Sequence, residues 1–223
     1  MRLVKVWDIF VRIFHWTLVS SMIGMYLSAE SLRNLHVNLG HFVIILVLSR
    51  ILWGFIGTKH ARFSDFIYSS SEIYIYLKGL IKGAPKHYVG HNPAGGLMII
   101  VMLFSLLLTT LTGLKAVGLE GRGLLADSNF IMVSLAYADR DKNHDKFDHH
   151  SKELHTKGEK ESFWEEIHEV LTSFMILLII GHIGGVIVSS WVHKENLVLA
   201  MITGKKKVES QFSQPEQPDS PLR

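Results

Sequence analysis

Apolar residues are gathered into four long blocks separated by charged, glycine- and proline-bearing stretches. The blocks cover residues 11–29, 35–56, 94–117 and 167–192. Each is near the ~20 residues that an α-helix needs to cross a bilayer. A fifth stretch, 71–82 (SEIYIYLKGLIK), is amphipathic but too short to span, and is predicted to lie along the membrane surface. The pattern predicts an all-α fold, a transmembrane four-helix bundle in contact with membrane lipid. The first 30 residues scatter charge through their first dozen positions and offer no small-residue cleavage site, so they read as a retained helix that also directs insertion.

Charge then orients the spans. Arg2, Lys5 and Arg12 flank the first; Lys59, Arg62, Lys78, Lys82 and Lys86 lie between the second and third; Lys205, Lys206 and Lys207 follow the fourth. The loop between the first two spans carries only Arg33, and the loop 118–166 is acidic on balance. The positive-inside bias predicts a membrane protein with both termini cytoplasmic. Residues 1–207 form the predicted membrane domain, and 208–223, polar and proline-rich, a disordered cytoplasmic tail.

Composition narrows the chemistry. The 223 residues include no cysteine, which excludes disulfides, iron–sulfur clusters and CxxCH-attached haem. They include 13 histidines, which leaves imidazole as the available metal ligand. The net charge of +3 is small, and the basic residues sit beside apolar spans rather than among interleaved aromatics, so no nucleic-acid partner is indicated.

His168 and His182 stand fourteen residues apart in the fourth block, with EVLTSFMILLIIG between them. Fourteen helical steps make about 21 Å and almost four whole turns, so both rings share one helix face at two membrane depths. From the topology, His36 lies at the outer depth of His168, and His15 at the inner depth of His182. A histidine at a helix end is ordinarily an interfacial residue; the agreement in depth raises these four above that reading. His41 competes with His36 but points about 140° away from it, and His36 lies nearer the outer level. His193, His60, His87 and His91 read as headgroup-level or surface residues. Two imidazole pairs at two depths suit two bis-histidine haems.

The motifs VWDIFVRIFHW, LHVNLGHFVIILVLSRILWGFIGTKHARFSDF, GHNPAGG and IHEVLTSFMILLIIGHIGGVIVSSWVHKENLVLAMITGKK cover most of residues 4–207. On them the chain resembles the bacterial cytochrome b561 family, di-haem membrane cytochromes related to the cytochrome b subunits of nickel–iron hydrogenases and formate dehydrogenases. The resemblance implies haem-iron ligands at His15, His36, His168 and His182, and so supports His36 over His41. Its departure is the charged loop 139–161 with His144, His149, His150 and His155, which reads as a solvated loop, with a surface metal site or a dock for a redox partner as the alternative. Small residues for packing on a flat cofactor are Gly24, Gly40, Gly113, Gly181, Gly184 and Gly185. Arg12 and Arg50 are candidates to meet haem propionates at the inner site.

The function that follows is electron transfer through two b-type haems, with the chain acting as a carrier or quinone oxidoreductase subunit and having no catalytic residues of its own. As the resemblance implies, it links the quinone pool to a periplasmic partner, a c-type cytochrome or a dehydrogenase or hydrogenase subunit. One alternative is a membrane-anchor subunit of a hydrogenase- or formate dehydrogenase-type complex. A second is a haem-free membrane metal sensor or transporter.

Overall fold

The computed structural model describes residues 2–83, 85–120 and 146–208, with side chains for 3–83, 85–120 and 163–206. Six helices are present among them: α1 (Ile9–Ser28), α2 (Arg33–Ile56), α3 (Ser70–Ile81), α4 (Pro93–Leu119), α5 (Lys146–His193) and α6 (Leu197–Thr203). Four are long and apolar enough to cross a membrane: α1, α2, α4 and the Phe163–His193 part of α5. They fall on the four predicted blocks. The protein is a multi-pass membrane protein, mostly helical.

Local chemistry sets the helix starts. Asp8 accepts from Val11 N at 2.8 Å and opens α1. In the GHNP motif, Asn92 accepts from Gly95 N at 2.7 Å and Pro93 takes the first helical position of α4, a place where its missing N–H costs nothing. Ser69 and Glu72 form a reciprocal capping box on α3. α5 is helical from Lys146, so part of the stretch predicted as the loop 118–166 is helix. Residues 121–145, with His144, lie outside the described residues, as do the side chains of His149, His150 and His155 and the predicted disordered tail from 209 onward.

The chain divides into two compact units, and each is described by itself. The bundle unit, Phe14–Trp53 and Met98–His182, holds the middles of the long helices. Its core is Met25, Val43, Val47, Leu106 and Met175, and Val43 and Val47 are fully buried. Leu27, Ile45, Leu52, Phe104, Leu177 and Ile180 are exposed, the lipid-facing side of such a bundle. Two buried hydroxyls of α4 are satisfied within their own helix: Thr109 donates to Ser105 O at 2.8 Å and Thr110 to Leu106 O at 2.9 Å.

The strand-bearing unit, Met1–Ile13, Gly54–Leu97 and Ile183–Arg223, departs from the all-α expectation. Strands β1 (Arg2–Lys5) and β2 (Lys205–Val208) pair antiparallel, Val4 opposite Lys206. Gly204 makes this possible. Its φ of 78° ends α6 in the left-handed region, and a Cβ there would lie 2.7 Å from the Trp7 carbonyl. The Gly204 carbonyl then accepts from Val6 N and Trp7 N at 2.9 and 3.2 Å. Segments from opposite ends of the sequence thus meet in one small sheet.

Candidate functional site

The bundle unit brings the four predicted histidines together as two facing pairs. The His36 and His168 ring centres are 6.4 Å apart with planes at 87°. The His15 and His182 ring centres are 6.5 Å apart at 54°. His41 is in neither pair.

Backbone groups aim the first pair. His36 Nδ1 lies 3.0 Å from the Met25 carbonyl on α1. His168 Nδ1 lies 2.9 Å from the Thr109 carbonyl on α4, and 3.4 Å from the Thr112 hydroxyl, which itself donates to Thr109 O at 2.9 Å. A carbonyl only accepts, so each Nδ1 carries the proton and each Nε2 keeps its lone pair. Gly113 makes room for the ring: a Cβ there would lie 2.8 Å from His168 Cε1. One turn before His36 and His168, Arg33 pairs with Glu120 and lies 3.9 Å from Glu165, tying the start of α2 to the end of α4 and to α5. In the second pair, His15 Nδ1 is buried without a hydrogen-bond partner among the described residues.

The family profile for prokaryotic cytochrome b561 matches residues 6–204. The chain belongs to the prokaryotic cytochrome b561 family. Two curated relatives carry the name probable Ni/Fe-hydrogenase B-type cytochrome subunit. The Azotobacter chroococcum mcd 1 protein is 29% identical over 159 residues, 57% of this chain and 65% of the relative. The Azotobacter vinelandii protein is 24% identical over 233 residues, 90% of this chain and 87% of the relative. The chain thus spans just under two thirds of the first of these. No solved structure matches.

The cofactor of a b-type cytochrome family is haem b, and the donor set of this b561 protein fits it. Two imidazoles on opposite sides of one iron need metal–nitrogen bonds of about 2 Å plus half of each ring, roughly 6 Å between ring centres. Both pairs have that spacing. The clearance at Gly113 and the Nδ1 proton on His36 and His168 leave Nε2 available on each.

The other candidates divide. Arg50 is buried in the bundle unit, 3% exposed, fourteen residues after His36 on α2, the interval that separates His182 from His168 on α5. Arg12 belongs to the strand-bearing unit, where its guanidinium donates to the Ile202 carbonyl; its Nε is buried with no partner among the described residues. A Cβ at Gly24 would press on Leu39 Cδ1 at 3.0 Å, a tight helix contact, and one at Gly181 would meet Met98 Cε at 3.6 Å, an ordinary one, while Gly40, Gly184 and Gly185 have nothing within 4 Å.

In the strand-bearing unit His60, His87, His91 and His193 are each half-buried, which corrects the surface reading of the first three. His91 stacks against Trp7 and Phe66, with centroids at 4.4 and 4.7 Å. His87 Nε2 lies 2.8 Å from one Glu195 oxygen, and Lys206 Nζ lies 2.8 Å from the other while donating to the Tyr88 carbonyl. His193 Nε2 is 3.4 Å from the Tyr76 hydroxyl. Burial and the neighbouring Lys59 charge hold His60 below its usual range, and burial pushes Tyr76 and Tyr88 up. No local signal joins His87 to Glu195 and Lys206, which lie more than 100 residues later in the sequence.

Proposed function

We propose that this protein is the membrane subunit of a hydrogenase-type complex. In this reading it holds two haem b groups, one at His36 and His168 and one at His15 and His182, and carries single electrons between a periplasmic oxidoreductase and the quinone pool of a bacterial inner membrane. The observation that carries the proposal is the pair of facing imidazole sites within one unit of a chain from this family. The names of the relatives favour a hydrogenase partner over a periplasmic c-type cytochrome. Membership of a cytochrome family leaves the haem-free sensor or transporter without support.

Haem b between two imidazoles supplies a one-electron iron couple closed to exogenous ligands. The chain supplies position. α5 provides one ligand to each site and fixes the distance between them. Met25 and Thr109 carbonyls hold two of the rings at a set tautomer. Arg50, in the same unit as the histidine pairs, supplies positive charge suited to propionates. The lysine and arginine bias supports cytoplasmic termini, with the His36–His168 pair then facing the periplasm.

The test is to isolate the full chain from its native membrane. The reading expects a red protein with two haem b per chain by pyridine haemochrome and a nickel–iron hydrogenase in the same preparation. A colourless folded protein would end the cytochrome part; a haem-loaded chain with a different oxidoreductase would end the hydrogenase part.

A further inference from the structure

α3 is apolar on two faces, and the strand-bearing unit uses one of them. Tyr76 is 3% exposed, with its hydroxyl 3.4 Å from His193 Nε2. Ile73 and Leu80, three before and four after it, are half-buried on the same side. The opposite face is bare. Tyr74, Leu77 and Ile81 follow an i, i+3, i+7 spacing and are 65, 42 and 88% exposed. Lys78 and Lys82, one turn apart and both exposed, stand beside that stripe, with exposed Ile75 beyond them. Such a stripe is an interaction surface, because covering it removes apolar area from water.

Charge indicates what covers it. Besides Lys78 and Lys82, the unit exposes Lys5, Lys59, Lys86 and Lys205. Its one exposed carboxylate among the described residues, Glu72, already accepts from the Ser69 backbone and hydroxyl at 2.9 and 2.8 Å. The face therefore presents apolar area and uncompensated positive charge together. A lysine stem lies along apolar surface while its ammonium reaches outward, which suits the boundary between acyl chains and headgroups. Short connections to the membrane-spanning α2 and α4 keep α3 at the bilayer surface.

We propose that the outer face of α3 binds anionic phospholipid of the adjoining leaflet. Tyr74, Leu77 and Ile81 seat among acyl chains, and Lys78 and Lys82 meet headgroups of net negative charge. The strip gives the protein a preference for lipid charge, which lipid-facing apolar side chains such as Ile45 and Leu177 cannot supply. It is independent of whether the histidine pairs hold haem.

The experiment is hydrogen–deuterium exchange of the purified full chain in nanodiscs of phosphatidylcholine alone and of phosphatidylcholine mixed with phosphatidylglycerol. The Ser70–Ile81 amides should be more protected in the anionic discs, by roughly fivefold for each lysine engaged, and high salt should remove the difference. Lys78→Gln combined with Lys82→Gln should abolish the lipid dependence, and the corresponding pair of arginine substitutions should keep it. Ile81→Ser should lower protection in both lipids. Haem per chain, measured on the same discs, keeps a failure of the haem reading separate from a failure of this one. Should a variant misfold, the unmodified chain still decides: equal protection in the two lipids would overturn the proposal. Lipid dependence that survives the double glutamine variant would overturn it as well. Protection that rises only in a preparation holding a second protein subunit would overturn it and assign the face to that subunit.

Discussion

The bundle unit and the strand-bearing unit employ the same side chain in opposite ways. In the bundle unit, four imidazoles face one another in pairs with no acidic hydrogen-bond partner among the described residues, and the acceptors behind His36 and His168 are backbone carbonyls. In the strand-bearing unit, His87 faces the Glu195 carboxylate, which Lys206 also holds, and His91 is stacked between aromatic rings. A ring that must keep a lone pair for a metal needs an acceptor behind its other nitrogen, and a backbone carbonyl serves. A ring that closes a chain segment can take a charged one. Histidine count alone therefore says little; what stands behind each ring decides its employment.

The difference can be broken most severely at the ligands. His182→Ala is expected to remove one haem of two and leave the His36–His168 site loaded, measured by haemochrome per chain. Loss of both would mean the sites are not independent. Gly113→Val should come next. Its Cβ alone would stand 2.8 Å from His168 Cε1, so the ring must shift and the haem at His36–His168 should be lost or change its α band, with the other site intact. A variant with an unchanged spectrum would show that the clearance at Gly113 is not needed.

In the strand-bearing unit the expected effect is on stability, not on haem. Glu195 and Lys206 side chains are only 9% and 6% exposed, so Glu195→Gln leaves a buried ammonium without its counter-charge, at a cost of about 3 kcal/mol. A lower thermal midpoint with two haems retained is the predicted result; haem loss would erase the contrast between the units. The smallest effect is at α3. Ser69→Ala removes its cap, about 1 kcal/mol of local helix stability. Hydrogen bonds from the Ser69 backbone and hydroxyl hold the Glu72 carboxyl below its usual range. A depressed carboxyl stabilises above its unfolded value, and that contribution is lost as pH falls through the folded value. Protection of the Ser70–Ile81 amides, taken relative to the unfolded exchange rate at each pH, should therefore fall on acidification in the parent and less so in Ser69→Ala.

How much of this was legible beforehand follows from the range of each interaction. The four spans are legible because lipid demands continuous apolar runs. The His168–His182 interval is legible because helix geometry is regular, and topology suggested the partners His36 and His15, which the structure brings face to face. Gly113 was legible only as a small residue; its closeness to His168 needs α4 and α5 together. The carbonyls of Met25 and Thr109 carry no sequence signal, since every residue has one. The β1–β2 pairing and the His87–Glu195–Lys206 contacts join segments from distant parts of the chain. KKKV has no strand signature of its own, and only the turn at Gly204 brings it to Val4.

The central claim is that each facing pair holds one haem b. Pyridine haemochrome analysis of the purified, full-length chain against its protein concentration tests it most directly. The predicted value is two haem b per chain, falling to one in His182→Ala. A value of one or none in the unmodified chain would contradict the account.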